Sequence, residues 1–326
     1  MRTRTLRFIV LLLLLTALSF SYPATAQDPT ETIRIESDLV DLKVSVLGLA
    51  PTPQPLLLDQ KDFSVLEDGT LQQISFFAAA DAPFDLVLLL DLSGSSAKKL
   101  KLIRRSAKRF VDATRAVDRI AVVTFTDQPA LVSNFTMNRE ALKERIDAIS
   151  EAYGGTNFWD SLDYVLRDLV TQNHGLRRTA VVVMTDGIDN ALPDVNGPGS
   201  RISFADLLVN IEKSEAIVFP IYVDTEQEDV ARFHVPPAAY VLARAQLAQI
   251  SSMCGTTMYK AAKLKDLDQL YAKVIHDLST VYSIGYRPTN RTFDGKWRAV
   301  EVKLPGRPDL FARTKRGYFA KQETEQ

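Results

Sequence analysis

Three nearly uninterrupted apolar runs, at 86–90, 120–125 and 180–184, alternate with stretches of helical periodicity. A strand that is apolar on both sides must be covered on both faces, which is the situation of a parallel sheet with helices above and below it. The stretch 97–114 carries Leu100, Ile103, Phe110 and Val111 on one side and lysines and arginines elsewhere, the pattern of an amphipathic helix. Further helices are expected at 139–150, 158–169, 203–214, 239–250 and 264–282. Further strands are expected at 217–223 and 257–260, with a shorter one at 130–135 on an edge. Alternation of this kind over about 200 residues predicts a doubly wound, Rossmann-like α/β sheet with right-handed crossovers.

Both flanks of this region have a different character. Leu39, Leu42, Val44 and Val46 partly alternate with polar neighbours, and prolines at 51, 53 and 55 end that strand. Phe63-Ser64-Val65-Leu66, the turn Glu67-Asp68-Gly69-Thr70 and the run 73–77 form a hairpin signature. After the α/β region come 283–286, then 297–304 with Val300, Val302 and Leu304 alternating, then 310–319. Each set alone has too few strands to be stable. The two are therefore expected to pack together as a small β-sandwich-like domain with the α/β unit inserted between them. The expected division is a leader at 1–26, a β-rich segment at 27–82, the α/β domain at 83–282, returning strands at 283–322 and a tail at 323–326.

Arg2, Arg4 and Arg7, the apolar run 8–18 and Ala24-Thr25-Ala26 read as a secretory signal peptide cut before Gln27. The apolar run is shorter than the roughly 20 residues a spanning helix needs, so no stable membrane span is expected after cleavage. The product would be exported, periplasmic or secreted. The chain has 39 basic and 40 acidic residues, and loss of the three leader arginines leaves it mildly acidic. That balance gives no basis for nucleic-acid binding. Cys254 is the single cysteine and cannot form an intrachain disulfide; after a helical pattern it is expected to be buried and inert.

The chemistry is concentrated at strand ends. Asp91-Leu92-Ser93-Gly94-Ser95 follows the first apolar run, placing a carboxylate and two hydroxyls at alternate positions. Hard oxygen donors of low total charge suit Mg²⁺, with Mn²⁺ or Ca²⁺ as alternatives. The carboxyl ends of strands are where open α/β sheets bind ligands. Thr185-Asp186-Gly187 ends a second apolar run, and Gly154-Gly155-Thr156-Asn157 precedes a helix. Each piece alone has an ordinary explanation: Ser95 or Ser96 as a helix cap, Thr156 as another, Thr-Asp-Gly as a turn. Together, three loops each supply the required atom type.

In that order and on those elements, these residues resemble the metal-ion-dependent adhesion site of von Willebrand factor type A domains. The flanking Phe63-Ser64-Val65-Leu66-Glu67-Asp68-Gly69, Ile284-Gly285-Tyr286-Arg287-Pro288 and Arg316-Gly317-Tyr318 are similar to those of the A-domain-related proteins of acidobacteria. The resemblance implies Ser93 and Ser95 as direct hydroxyl ligands, Thr156 as a direct or water-bridged one, and Asp91 and Asp186 acting largely through water. It implies a sixth coordination position filled by an Asp or Glu carboxylate of a protein partner. It also implies a final helix whose displacement couples to ligand affinity.

Enzymatic readings find less support. A phosphotransferase using Asp91 would need a second acid two positions on, where Ser93 stands. No G-x-S-x-G elbow or Gly-rich phosphate loop is present. His174, His234 and His276 are scattered without zinc-site spacing. The expected function is non-catalytic binding or adhesion, with an envelope scaffold stabilised by its metal as the alternative and a metal-dependent hydrolase ranking below both. The loops 188–201 and 225–237, with Glu226, Glu228 and Asp229 in the second, would border the ligand.

Overall fold

The structure, a computed structural model, describes residues 39–48, 58–93, 100–150, 154–171, 177–214, 216–226, 235–263 and 266–322. The leader, the prolines at 51, 53 and 55, Ser95, His174 and His234 lie outside them.

The first strands are β1 (Val40–Gly48), β2 (Ser64–Glu67), β3 (Thr70–Gln72) and β4 (Ile74–Ala78). Asp68 and Gly69, both at positive φ, close a two-residue hairpin between β2 and β3, the backbone that an Asp-Gly pair favours. The expected return strand is split: β3 stays with β2, whereas β4 leaves for another sheet. Gln72 marks the break, because its side chain turns inward to bond Thr289.

The α/β unit contains β5 (Phe84–Asp91), β6 (Arg119–Phe125), β7 (Pro129–Thr136), β8 (Arg178–Thr185), β9 (Ile217–Val223) and β10 (Tyr259–Ala261). They form one sheet in the order β10-β9-β8-β5-β6-β7. All pairs are parallel except the edge strand β7, which is antiparallel to β6. Among the described residues six α-helices cover it: α1 (Leu100–Ala113), α2 (Arg139–Asp147), α3 (Phe158–Tyr164), α4 (Phe204–Lys213), α5 (Pro237–Met253) and α6 (Leu267–Leu278). Alternate residues of β5 divide between two cores. Leu86, Leu88 and Leu90 pack against α1, α2 and α6, and Val87 and Leu89 against α3, α4 and α5. A π-helical segment, Val165–Val170, prolongs α3.

The last helix is shorter than its periodicity predicts. It stops at Leu278, turns through Ser279 and Thr280, and becomes β11 (Val281–Tyr286). Leu278, Val281 and Tyr282 keep helical spacing, so the pattern does not reveal the change. The Tyr282 ring packs at 5.1 Å from Phe63 and 5.9 Å from Phe77, in the flanking core, which only an extended chain reaches.

β12 (Trp297–Lys303), β13 (Leu310–Arg313) and β14 (Gly317–Phe319) complete the chain. The flanking strands form two four-stranded sheets, β13-β1-β11-β4 and β14-β12-β2-β3. Each sheet mixes strands from before and after the α/β unit, which is therefore an insertion. The two crossings are stapled by Arg178, 5% exposed. Its guanidinium donates to the Ala80 carbonyl at 2.9 Å and to those of Ala82 and Val281, over the face of Phe84. Burial lowers its pKa to about 10, so it remains a cation at neutral pH.

The flanking motifs converge. Tyr286 and Tyr318 donate their hydroxyls to Glu67 Oε2 at 2.7 and 2.8 Å. Glu67→Ala should cost about 2–6 kcal/mol, since it leaves two phenols without their acceptor and each such loss costs roughly 1–3 kcal/mol. Urea unfolding measures this; an unchanged midpoint would show that the triad does not hold the sheets together. Cys254 packs between the two α/β cores, and burial raises its thiol pKa to about 11. At pH 8 only about one thiol in a thousand is then ionised. Cys254 is half-buried, so iodoacetamide should label it at pH 8 much more slowly in the folded protein than after unfolding; equal rates would show that the thiol is not suppressed.

Candidate metal centre

From β5 the chain passes through α1 toward β6, and from β8 through α4 toward β9, on the opposite side. The carboxyl ends of β5 and β8 therefore flank the point where the winding direction reverses, the place where α/β sheets open a crevice. Asp91 is the last residue of β5, and Asp186 follows the last residue of β8.

Register determines what happens there. Leu90 pairs with Met184, so Asp91 stands level with Thr185, on the same face as Val87 and Leu89 by strand alternation. Thr185 Oγ1 donates to Asp91 Oδ2 at 2.6 Å, and the Ser93 amide donates to Asp91 Oδ1 at 2.9 Å. One strand further on the arrangement repeats. Thr225 Oγ1 donates to Asp186 Oδ2 at 2.8 Å, and the Ile188 amide donates to Asp186 Oδ1 at 3.0 Å. Each aspartate thus closes a turn on the amide two residues ahead and receives a threonine hydroxyl from the neighbouring strand end. Both are buried, at 1% and 5% exposure, as is Ser93 at 3%. A bond at each carboxylate oxygen fixes the direction of the group.

The third loop is tied to the second. Thr156 donates its amide to Asn190 Oδ1 at 3.1 Å and accepts from the Asn190 amide at 2.9 Å. The Gly155 amide donates to Asp127 Oδ1 at 2.6 Å. A Cβ at position 155 would lie 2.5 Å from Asn190 Nδ2 and 2.8 Å from Asp127 Oδ1, so any larger residue would push aside the two side chains that tie this loop down. Asn157, not Thr156, is the N-cap residue of α3, which removes the capping explanation for Thr156. Ser95 lies outside the described residues.

Asp189 anchors the loop after β8. Fully buried, it accepts from the amides of Trp159, Ala191 and Ser200 at 2.9, 2.8 and 3.0 Å and from Ser200 Oγ at 2.6 Å. The loop 188–201 is therefore packed against α3 rather than free to rearrange. In the next loop Glu226 pairs with Arg244 of α5 at 3.0 Å, and Arg244 also donates to Tyr222 at 3.1 Å. Burial, with the negative charges of Asp224 and Asp186 nearby, raises the Tyr222 pKa.

Sequence reasoning missed Thr185, Thr225, Asp189, Asn190 and Asp127 as supporting residues. Only the first had a signal, its place beside Asp186; the others depend on strand register and loop docking. Among the described residues no group of three or more His, Cys, Asp or Glu side chains could hold a metal. A cation here would rest on hydroxyls, two carboxylates and water, a donor set that fits a hard ion such as Mg²⁺. His276, on α6, is exposed.

A doubly wound sheet with hydroxyl and carboxylate oxygens gathered at its switch point defines the class of protein. A model of the von Willebrand factor type A domain matches residues 85–273, more than half of the chain, and the chain belongs to that family. Among solved structures, BatB from Bacteroides thetaiotaomicron is similar at 14% identity and a TM-score of 0.45, over 60% of this chain and 98% of that one. Proximal thread matrix protein 1 from the mussel byssus, in a form with a zinc-occupied metal-ion-dependent adhesion site, is similar at 17% identity and a TM-score of 0.47. That likeness covers 65% of this chain and 49% of the mussel protein, so the chain spans about half of its length. The PilB minor pilin from Streptococcus sanguinis is similar at 13% identity and a TM-score of 0.45, over 61% and 62% of the two chains. No curated protein matches the chain.

Thr185→Val keeps the shape of the side chain but removes the donor to a buried carboxylate. It should cost roughly 1.5–3 kcal/mol, read as a lower urea midpoint, and Thr185→Ser should restore most of the loss. Equal midpoints for all three proteins would show that this bond does not orient Asp91.

Proposed function

We propose that this chain is an exported, non-catalytic binding protein that holds a divalent cation at its switch point and captures a carboxylate of a protein partner. The observation that carries the reading is the repeated device at Asp91 and Asp186: two buried aspartates on adjacent strand ends, each fixed by a threonine hydroxyl and a turn amide. Ser93, Ser95 and Thr156 would be direct ligands, with Asp91 and Asp186 acting largely through water. Mg²⁺ is the preferred ion, with Mn²⁺ or Ca²⁺ as alternatives. Once bound, the ion supplies an electrophilic coordination position for an outside Asp or Glu side chain. The protein's own groups hold the hydroxyls in place, exclude bulk water from the aspartates, and keep full carboxylate charge from direct contact with the ion.

One observation favours capture over a purely structural ion. The described parts of the loops after β8 and before α3 are already bonded to one another by Asn190, Asp189 and Asp127, and the two threonines fix the strand ends, so there a cation has little left to order. The leader signature at 1–26 supports export, and among the described residues no helix is long and apolar enough to cross a membrane. The partition into 27–82, 83–282 and 283–322 around a single inserted domain belongs to the same reading.

Calorimetric titration should show saturable Mg²⁺ binding that EDTA reverses and that Asp91→Ala or Ser93→Ala abolishes. With Mn²⁺ in its place, a short Asp- or Glu-containing peptide should displace coordinated water and lower the water-proton relaxation rate. Ion binding without peptide effect would leave the scaffold reading in its stead. Equal ion binding by wild type and Asp91→Ala would overturn the site itself.

A further inference from the structure

Helix α1 carries its charge against the ordinary rules for a helix. Leu100, Ile103, Ala107, Phe110 and Val111 are buried, and the remaining positions set Lys101, Arg104, Arg105, Lys108 and Arg109 against one acid, Asp112. The first turn contains Lys101 and no acidic residue, although the N-terminal end of a helix favours negative charge. Lys101 and Arg105 stand four residues apart, where like charges repel. The two halves of the helix then differ. Towards the C-terminal end, Lys108 meets Asp147 at 2.6 Å, Arg109 meets Asp268, and Asp112 meets Lys143 at 2.8 Å. Arg104, in between, donates to the Ile149 carbonyl. Lys101 and Arg105 are exposed and have no ion-pair or hydrogen-bond partner among the described residues.

The unmatched half lies beside the candidate metal centre. Strands β5 and β6 are parallel, so α1 runs from the carboxyl edge of the sheet back to its amino edge. Its first turn therefore stands at the edge that carries Asp91 and Ser93. On the β9 side of the crevice the neighbouring cations are already matched, Arg244 by Glu226 at 3.0 Å and Lys260 by Asp224 at 3.1 Å. Leu102, also exposed, lies next to Lys101 on α1. Local charge placement that opposes helix stability, at the mouth of a site, is expected where residues serve a ligand rather than the fold.

We propose that the exposed N-terminal half of α1, Lys101 and Arg105 with Leu102 between them, is a second contact for the protein partner, and that this partner presents an extended, acid-rich segment. The inference rests on the metal-bridged capture proposed above: one carboxylate would reach the ion and the next ones would pair with α1. The spacing suits an extended chain. Lys101 and Arg105 are separated by about 6 Å along the helix axis. Alternate residues of an extended strand face the same way and repeat at about 6.6 Å, so carboxylates at every second position would meet both cations. An anionic membrane fits less well. A helix lying in a bilayer surface buries an apolar face, and that face of α1 is already committed to the core.

The test is fluorescence anisotropy of two labelled peptides of equal length, titrated with full-length protein in excess Mg²⁺ at low salt. One peptide carries a single glutamate among glycines and serines; the other carries four glutamates at alternate positions. The double variant Lys101→Gln, Arg105→Gln, with its fold checked by circular dichroism, should bind the four-glutamate peptide about three- to tenfold more weakly than wild type. It should bind the single-glutamate peptide as wild type does, and high NaCl should erase the difference between the proteins. No binding of the four-glutamate peptide by wild type, or wild-type affinity for it in the double variant, overturns the proposal. Phosphatidylglycerol vesicles that bind wild type but not the double variant, with peptide affinity equal in both, would assign the face to a membrane instead. Failure of the metal reading shows separately, as a single-glutamate peptide that binds wild type and Asp91→Ala alike. The four-glutamate comparison decides the α1 contact in either case.

Discussion

The pairing of β5 with β8 is the constraint on which the candidate centre depends. Both strands are apolar on both faces, so they are stable only where helices cover the sheet from two sides, and their mutual register follows from filling both cores. Once Leu90 lies opposite Met184, Asp91 and Thr185 are neighbours with no further adjustment. A slip of one residue would turn each of these side chains to the opposite face. The polar geometry at the strand ends is therefore inherited from hydrophobic packing some residues earlier. Burial then makes that geometry strict, because a desolvated carboxylate must keep the donors it has.

A second dependence runs through Arg178. An insertion has two crossings, and each brings backbone carbonyls toward a seam where they compete for few donors. One guanidinium, with donors in a fixed fork, reaches the Ala80, Ala82 and Val281 carbonyls together and so ties the entry and exit strands to the first turn of β8. Lysine, with one rotating ammonium, could not span them with the same geometry. The inserted domain and the flanking sheets are thereby joined at the amino edge of the sheet. The carboxyl edge, with Asp91 and Asp186, carries none of that structural duty.

Much of this was legible in the chain because the signals are local. Continuous apolar strands, amphipathic helices, the Asp68-Gly69 turn, and the positions of Asp91, Ser93 and Asp186 at strand ends all follow from residues close in sequence. What was not legible depends on distant partners. Asn190 brackets Thr156 across 34 residues, and Thr225 reaches Asp186 across 39, and nothing in either neighbourhood announces it. The end of α6 was misjudged for a related reason. Tyr282 satisfies helical spacing, but its ring belongs to a core built from Phe63 and Phe77, far upstream. The hairpin return split at Gln72 because a loop from the other end of the chain, at Thr289, recruits that side chain.

The place of a buried polar group in the fold separates structure from function across the molecule. Glu67 stands in a motif as suggestive as any around Asp91, yet two tyrosine hydroxyls converge on it inside a closed core. Its chemistry is directed inward, and joining two sheets is sufficient reason for it. Asp189, with four donors, is likewise committed to its loop. Asp91 and Asp186 differ in place: each is oriented by a threonine hydroxyl and a turn amide at a crevice formed by the winding of the sheet. Buried polar groups that the fold satisfies fully explain the fold. Those oriented at the crevice of a switch point, as Asp91 and Asp186 are, stand where an outside atom has a place to bind.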